Sequence, residues 1–598
     1  MPMYQAPTKD MMFLLTDVLG IERYNNLPGF ADASTDMLEA ILGEAGKQAE
    51  EIYFPLNQSG DAEGCTRHED GSVTTPSGFK DAYDTYRESG WMGLSVPEEW
   101  GGQGLPYALH SAVSEFMSSA NMAFAMYPGL TQGAIAALLE HGTQEQKETY
   151  LPKMVEGRWT GTMNLTEPHC GTDLGLLRTR AVPNGDGSYR ISGQKIFISA
   201  GEHDLSENII HLVLARIEGA PEGTKGISLF VVPKFSLDEN GEAGERNGVS
   251  CGSIEEKMGI HANSTCVMNY DDAQGWLIGE ENKGLRAMFV MMNEARLGVG
   301  LQGLAIAETA YQNAAAYANE RLQGRALTGA AEPDKKADPI IVHPDVRRNL
   351  LTIRAFNEGG RALILWTALN SDVAHRSGDE KDKQRADDLL GLLTPVIKGV
   401  LTDKGLDHTV MAQQMYGGHG YVKEWGMEQY VRDARIAQIY EGANGIQALD
   451  LVGRKLGLNG GRAVMAFFEE VGQFCEENRG NEKLSFYTKH LKKSLGTLQQ
   501  ATMWFMNNAM AKPDNAGAGS YDYMHLFGIV AIGYMWALQV KTAQEKLAQG
   551  ANGDAQFLEN KEVVARFFYE RILPEAPAHL ARIETGSDTM MKMAANEF

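Results

Sequence analysis

The sequence predicts a multi-domain protein of the α plus β class, helical at both ends with a β domain between them. Its 598 residues suffice for three to five domains at roughly 100–200 residues each. Before about residue 157 and after about residue 281, apolar residues recur at spacings of three and four, as in DMLEAILGEAGKQAEE, which predicts amphipathic helices. Between these stretches, short apolar runs such as HLVLARI and GISLFVV alternate with turn residues, which predicts strands. Helices and strands segregated in this way are unlike a doubly wound βαβ fold.

The same periodicity divides the chain into five segments. NGDG at 184–187 is a turn signal between strands of the β segment, which we expect to form a small barrel or a sandwich. LNGG at 458–461 marks a boundary, and breaks in the last helical segment are predicted at 512–520 and 548–556. The predicted segments are an N-terminal arm (1–33), an α-helical domain (34–157), a β domain (158–280), a second helical domain (281–457) and an additional α-helical domain (458–598).

The amino-acid composition limits the binding partners that the protein can have and the cellular compartment in which it is expected. The formal net charge of −24 disfavours generic binding to nucleic acid or to an anionic membrane, because both require clustered Lys and Arg. The five scattered cysteines form no C-x-x-C pair, so neither a disulfide framework nor a zinc site is expected. The start, MPMYQAPTKDMMFLL, lacks a basic region followed by a long apolar one, and no 18 apolar residues run together. We expect a soluble, cytoplasmic protein.

Three local patterns carry little functional weight. Gly298-x-Gly300-x-x-Gly303 matches the dinucleotide-binding string, but that motif works between a strand and a helix, and the preceding residues here are helical. Close helix packing explains these glycines better. The methionines of AMFVMMN are core filler or, where a core helix lines a pocket, an adaptable wall. His419 has no partner at metal-ligand spacing, so no metal is expected.

Two other segments indicate a functional site more strongly. NLTEPHCGTD (164–173) combines small residues, hydroxyls and backbone N–H groups, which suit a planar polar ring and a phosphate; the alternative is a plain turn between strands. Glu441 stands between the apolar IAQIY and the flexible GANG. A carboxylate facing a dry pocket would have a raised pKa suited to a general base. The alternative is a glutamate that caps a helix or forms a salt bridge.

Seven strings occur in one order between about residues 35 and 455: GLSVPEEWGGQG, HGTQEQKETYLPKMVEGRW, LTEPHCGTDLG, GQKIFISAG, NEARLGVGLQGLA, QMYGGHGYVKEW and RDARIAQIYEGANGIQ. Together they resemble the acyl-CoA dehydrogenase family. The resemblance implies an N-terminal helical domain, a central β-barrel domain and a C-terminal helical bundle of four-helix type. The N-terminal arm and the extension after Leu456 are similar to a subgroup of large bacterial members, which extends the resemblance to the whole chain.

The resemblance implies a catalytic base. Glu441 aligns with the base of the short- and medium-chain members. Some relatives take the base from the residue just before the arginine of the NEAR-like helix; here that residue is Ala295, which cannot serve. Glu294 lies one residue further back and is expected to point to a different face. Arg296, Tyr440 and Gly442 fall near the acyl-CoA in the family.

The resemblance also implies that FAD is the cofactor. The positions that match flavin contacts are Leu165, Thr166, Gly171, Thr172, Phe197 and Ser199, and, reaching the FAD of a neighbouring subunit, Arg321, Gln323, Gln414, Gly417 and Gly418. Phe197 and Ser199 replace the usual Trp and Thr. Gly324-Arg325 replaces the usual Phe-Gly, and Ala443 replaces a frequent hydroxyl.

The implied reaction is α,β-dehydrogenation of an acyl-CoA. Glu441 takes the α-proton while flavin N5 takes the β-hydrogen as hydride, and the Glu441 N–H and a flavin ribityl hydroxyl polarise the carbonyl. The expected substrate is 3-methylthiopropionyl-CoA of dimethylsulfoniopropionate breakdown, which becomes methylthioacryloyl-CoA; a short straight-chain acyl-CoA is the chief rival. An electron-transfer flavoprotein is the expected electron acceptor and a homodimer the expected assembly. An acyl-CoA oxidase and a non-catalytic flavin-binding relative stay as alternatives.

Overall fold

The computed structural model describes residues 2–550 and 553–598. The helices of this part of the chain are α1 Thr8–Met12, α2 Thr35–Gln48, α3 Pro55–Glu63, α4 Phe79–Glu88, α5 Tyr107–Ala120, α6 Met122–His141, α7 Gln144–Val155, α8 Gly284–Glu320, α9 Pro344–Arg376, α10 Glu380–Met415, α11 Met427–Ile436, α12 Asn444–Asp450, α13 Arg462–Glu477, α14 Ser485–Asn508, α15 Asp514–Ala548, α16 Ala555–Arg571 and α17 Ala576–Glu584. The strands are β1 Thr66–Arg67, β2 Val73–Thr74, β3 Trp159–Asn164, β4 Arg180–Pro183, β5 Ser188–Ser199, β6 Asn208–Ile217, β7 Ser228–Pro233, β8 Phe235–Leu237, β9 Ala243–Arg246, β10 Val249–Ile254 and β11 Thr265–Ile278.

The β domain is a closed barrel rather than a sandwich. Strand β11 pairs with β5, β5 with β4, β4 with β6, β6 with β7, and β7 again with β11, so the ring closes. Strands β3 and β10 extend the sheet beside β6 and β11. The pairing of β11 shifts register between Tyr270 and Ala273, and such bulges bend a strand and help a sheet to close. The turn predicted at NGDG joins β4 to β5.

The chain divides into two compact units. The first holds the chain up to Gly46, Pro106–Glu115 and Val299–Phe598; the second holds Lys47–Leu105 and Phe116–Gly298. In the second unit the barrel interior is apolar, with Ile191, Phe230 and Met268 buried. Met288 and Met291 of the AMFVMMN string are fully buried, which confirms that they are core residues.

In the first unit, α8 packs closely against α10. A Cβ added to Gly303 would stand 2.6 Å from the carbonyl oxygen of Leu401, and one added to Gly300 would stand 3.1 Å from the backbone of Ile397. Glycine is therefore required at these two positions by the close approach of the helices. This finding confirms that the G-x-G-x-x-G string in α8 reflects helix packing.

Helix α15 is the central element of the additional C-terminal domain. It contacts α9, α10, α12, α14, α16 and α17. Helices α6 and α15 are long and apolar enough to cross a membrane by length and composition alone, but 67% and 94% of their apolar windows are buried inside the protein. Such burial is typical of the core helices of a folded domain.

Helix α15 also corrects a prediction. The break predicted at 512–520 is largely helical, because α15 begins at Asp514. A Cβ on Gly519 would stand 2.9 Å from the ring of Phe505, so close packing against α14 keeps these small residues in the helix. The break predicted at 548–556 lies between α15 and α16, apart from residues 551–552, which fall outside the described residues.

The N-terminal arm is more structured than predicted. It contains α1 and a π-helical turn, Phe13–Val18. Phe13, Leu14 and Leu15 are buried, so these three apolar residues anchor the arm. Residue 1 lies outside the described part of the chain.

Candidate active site

Glu441 lies in the turn between α11 and α12, and its backbone is in the left-handed region. Its φ is +55° and that of Gly442 is +85°. Glycine adopts this conformation freely, but for a residue with a Cβ it costs on the order of 1–2 kcal/mol. Such strain persists only where the surroundings enforce it, and it is typical of functional sites. The N-cap position of α12 is held by Ala443 rather than by Glu441.

Two buried side chains enforce this conformation. The amide of Gln447 donates to the carbonyl oxygens of Glu441 and Gly442, at 3.1 and 3.0 Å. The ammonium of Lys398 donates to the same Gly442 oxygen at 2.9 Å. Both side chains are almost fully inaccessible to solvent. The backbone of Glu441 and Gly442 is therefore fixed by contacts that the protein interior supplies.

Tyr440 precedes Glu441 and stays neutral. Its hydroxyl donates to the side-chain oxygen of Gln302 on α8. Burial, followed by the nearby charge of Glu441, raises the pKa of Tyr440 well above its ordinary value. Tyr440 therefore places a neutral phenol beside the Glu441 carboxylate.

The loop at 164–173, in the second unit, is anchored by a buried ion pair. Lys195 donates to Glu167 at 2.8 Å and to the carbonyl oxygen of Leu165 at 3.0 Å. Glu167 also accepts bonds from the backbone N–H and hydroxyl of Thr179. Burial opposes the ionisation of Glu167, but the Lys195 charge and these hydrogen bonds hold its pKa below the ordinary value.

Glu167, His169 and Cys170 form a cluster of potential metal ligands within this loop. Their ligand atoms lie within 4.8 Å of one another. The Glu167 carboxylate, however, already accepts the bonds of Lys195 and Thr179, and the ring of His169 is bonded to the carbonyl of Leu176 at 2.9 Å. These atoms serve to shape the loop.

Phe197 and the tip of the loop form an open platform for a ring. Phe197 is 60% exposed although it lies within β5, and its φ is +59°. The carbonyl oxygen of Thr166 accepts the N–H of Ile196, which places the loop beside Phe197. Gly171 and Thr172 are exposed. An exposed aromatic ring on a strained strand, beside exposed backbone N–H and hydroxyl groups, fits the flat ring of FAD. Ser199 is partly buried at the end of the same strand, and its carbonyl accepts the Thr162 hydroxyl.

The predicted contacts to a neighbouring subunit are gathered in one region of the first unit. The rings of Tyr317 and Tyr416 stack at 4.0 Å, and the Tyr317 hydroxyl is bonded to His419 at 2.9 Å. These contacts pack the end of α8 against the 417–421 turn. The predicted residues of both segments have exposed positions: Arg321, Gln323, Gln414, Gly417 and Gly418.

Glu294 and Arg296 lie on the part of α8 that belongs to the second unit. Arg296 is partly buried, and its guanidinium lies 5.9 Å from the ring centre of Phe289. Burial raises the pKa of Glu294 to about 8.

The sequence did not single out the residues that hold these segments in place. The group comprises Glu167, Lys195, Lys398, Asp403, Asn444 and Gln447. One signal was present: Lys398 interrupts the apolar run TPVIKGVL of α10, and a lysine buried in an apolar helix requires a partner. The others carry no such signal: the partners of Asp403 and of Lys195 are distant in sequence, and Gln447, although near Glu441 in sequence, matches no position to which the resemblance assigns a role.

Along the chain, a barrel domain that carries a flavin-type platform follows one helical domain and precedes another. This order of domains is typical of one class of flavoenzyme, and the family models that match the chain belong to the same class. The chain matches the families described as acyl-CoA dehydrogenase N-terminal, middle and C-terminal domains over 66–158, 162–273 and 282–456, and one described as acetyl-CoA dehydrogenase C-terminal like over 467–594. The chain belongs to the acyl-CoA dehydrogenase family of FAD-dependent oxidoreductases. The predicted family, class of enzyme and cofactor are thereby confirmed.

Individual relatives extend the likeness to the whole chain. It is 44% identical over 589 residues to 3-methylmercaptopropionyl-CoA dehydrogenase of Ruegeria pomeroyi, covering 98% of this chain and 99% of that one. It is 36% identical to the broad-specificity linear acyl-CoA dehydrogenase FadE5 of Mycobacterium tuberculosis, covering 99% of each. A solved Bacillus anthracis acyl-CoA dehydrogenase complexed with FAD has the same fold, with a TM-score of 0.74 at 21% identity over 92% of this chain and 88% of that one.

Proposed function

We propose that the protein oxidises 3-methylthiopropionyl-CoA to methylthioacryloyl-CoA, as part of dimethylsulfoniopropionate breakdown, with Glu441 as the base. The observation that carries the choice of substrate is the 44% identity, over 98% of the chain, to a relative named for that acyl group. The choice of base is supported by the left-handed backbone of Glu441, which Gln447 and Lys398 enforce.

Different residues of this chain bind the cofactor, remove the proton and polarise the thioester. Leu165, Thr166, Gly171, Thr172, Phe197 and Ser199 would hold FAD. The bound flavin supplies the acceptor for the β-hydride. Glu441 takes the α-proton, whose acidity depends on hydrogen bonds to the thioester carbonyl. We assign one of these bonds to the backbone N–H of Glu441, because a donor fixed in advance stabilises the developing negative charge by several kcal/mol.

The proposal extends to substrate contacts, partners and compartment. Arg296, Tyr440 and Gly442 would contact the acyl-CoA. The exposed Arg321, Gln323, Gln414, Gly417 and Gly418 would reach the FAD of a second copy, which makes the working unit a homodimer. An electron-transfer flavoprotein would then reoxidise the enzyme in the cytoplasm.

A matched pair of acyl-CoAs tests the substrate. In pentanoyl-CoA a methylene replaces the sulfur of 3-methylthiopropionyl-CoA, so the two chains differ at one atom. We expect kcat/KM to be about 10-fold higher for the thioether, within the range for a single-group difference in an apolar pocket. A kcat/KM equal to or below that of pentanoyl-CoA would assign the enzyme to straight-chain substrates. Peroxide formed in air without another acceptor would instead indicate an oxidase.

The variant Glu441→Gln tests the base. The amide keeps the shape of the side chain but cannot accept the proton, so kcat is expected to fall about 10²–10⁴-fold. FAD content and the spectral change on acyl-CoA binding are expected to persist. Glu294→Gln is the matched control and is expected to retain activity. Full activity in Glu441→Gln would rule out the proposed mechanism.

A further inference from the structure

We propose that Asp403 is a positioning residue for the Glu441 loop, and that the additional C-terminal domain holds Asp403 in place through Tyr521 and His525. This inference rests on the proposed role of Glu441 as the base. It assigns the C-terminal domain a part in catalysis, although none of its residues is placed in contact with the substrate.

Asn444 fixes the end of the Glu441 loop. Its side-chain amide donates to Asp403 Oδ1 at 2.7 Å, and also to the hydroxyl of Thr402 at 2.9 Å. Its side-chain oxygen accepts the Lys398 ammonium at 2.8 Å. Asn444 is buried and is the first residue of α12. It lies three residues after Glu441, so a shift of its side chain would move the carboxylate.

Asp403 fixes the beginning of the same loop. Its Oδ1 atom accepts the side-chain amide of Gln438 at 2.7 Å. The carbonyl oxygen of Gln438 accepts the backbone N–H of Asn444 at 3.1 Å. One carboxylate oxygen therefore joins residues 438 and 444, and the seven-residue loop that runs from 438 to 444 carries Glu441 at its centre. Asp403 lies on α10, a long helix that provides a rigid base.

The other carboxylate oxygen of Asp403 accepts hydrogen bonds from the C-terminal domain. Its Oδ2 atom accepts the hydroxyl of Tyr521 and the ring N–H of His525, the latter at 2.9 Å. Burial opposes the ionisation of Asp403, but these two hydrogen bonds hold its pKa below the ordinary value. The carboxylate is therefore charged, and each of its oxygens has defined donors.

His525 is itself held by a layer of C-terminal residues. Its ring lies parallel to that of His579, with centroids 6.1 Å apart. His579 is bonded to Asp522 at 2.8 Å, and Asp522 also accepts Arg582 at 2.6 Å. The support of the Glu441 loop thus extends from α12 through α10 to α15 and α17.

The test compares side chains at His525 and Tyr521 in the full-length enzyme. His525→Leu with Tyr521→Phe removes both donors to Asp403, and kcat is expected to fall about 10- to 100-fold, since a misplacement near 1 Å can cost about 10²-fold. His525→Gln retains an N–H donor and is expected to keep kcat within about 3-fold of wild type. Tyr534→Phe removes a hydroxyl of the same helix that binds Glu470 instead, and is expected to leave kcat unchanged.

A double-mutant comparison separates positioning from folding. In a Glu441→Gln background the loss of both donors is expected to change kcat by less than about 3-fold, because the network acts through Glu441. Equal losses of kcat in both backgrounds would overturn the inference. So would a wild-type kcat in the variant that carries only His525→Leu and Tyr521→Phe. A loss of FAD content that matches the loss of kcat would overturn it as well. If the double variant does not fold, Tyr521→Phe alone carries the same comparison. Activity in Glu441→Gln would refute the base itself and is a separate outcome.

Discussion

A carboxyl group in α8 shows how burial sets the chemistry of single residues. Glu294 is partly buried on α8, between the buried Met291 and Leu297. Its pKa rises from the ordinary 4.5 to about 8 because burial penalises the charged form. Between these two pH values the folded protein holds a proton that the unfolded chain has released. The stability contributed by this group is therefore full below about pH 4.5 and decreases as the pH rises towards 8.

The variant Glu294→Gln tests this effect. The free energy of unfolding of the wild type, relative to that of the variant, is expected to fall by up to about 1.4 kcal/mol per pH unit between pH 5.5 and 7.5. Urea unfolding of both proteins at three pH values in this range measures the difference. A difference that does not change with pH would mean that Glu294 titrates normally.

At the scale of elements, the crossing of α8 and α10 is fixed by two glycines. The carbonyl of Leu401 and the Cα of Thr402 would stand 2.6 and 2.8 Å from a Cβ on Gly303. These are backbone atoms and cannot rotate away. The contact lies next to Asp403, so the crossing also determines where the support of the Glu441 loop stands.

Gly303→Ala and Gly298→Ala form a matched pair on the same helix. Gly303→Ala is expected to lower the free energy of unfolding by about 1–3 kcal/mol, because overpacking separates the helices. A Cβ on Gly298 has nothing within 4 Å, so this variant is expected to gain up to about 1 kcal/mol from helix propensity. Urea unfolding compares them. Equal effects would contradict the packing explanation of the glycine string.

At the scale of the whole chain, a buried cluster of charges joins distant parts of the sequence within the first unit. Arg361 of α9 contacts Asp10 and Glu115, both at 2.6 Å, and Lys561 of α16 contacts Asp10 and Glu358. Burial opposes the ionisation of Asp10, but Lys561 and Arg361 together hold its pKa below the ordinary value. The cluster links the N-terminal arm, α5, α9 and α16.

Lys561→Met tests this linkage. Removal of the ammonium leaves Asp10 paired with Arg361 and Glu358 paired with Arg354. The buried carboxylates then outweigh the cations around them, which is expected to cost up to about 3–5 kcal/mol of stability. Lys541→Met removes a partly exposed lysine that pairs with the exposed Glu545 on α15 and is expected to cost less than about 1 kcal/mol. The free energies of unfolding in urea measure both. A small effect at Lys561 would show that the cluster contributes little to the attachment of the arm.

Much of the fold was predictable because it depends on patterns among residues that are close in sequence. The helical period, the switch to strands near Trp159 and the turn at NGDG all depend on neighbouring residues. The break predicted at 512–520 extends too far along the chain: α14 ends at Asn508 and α15 begins at Asp514. Gly519 is kept helical by packing against the distant ring of Phe505. Closure of the barrel depends on the pairing of β7 with β11, which no local pattern encodes.

The sequence by itself determined the order of the domains and the family, and it predicted the residues that the chemistry would require, with Glu441 foremost. These follow from local spacing and from motifs whose members are close in sequence. Only the tertiary structure decided what holds Glu441 in its left-handed turn. Three of the residues that support this turn are far from Glu441 in sequence: Lys398 by 43 residues, Asp403 by 38 and the C-terminal His525 by 84. Hydrogen bonds act over about 3 Å of space whatever the separation in sequence, so folding alone brings these groups together.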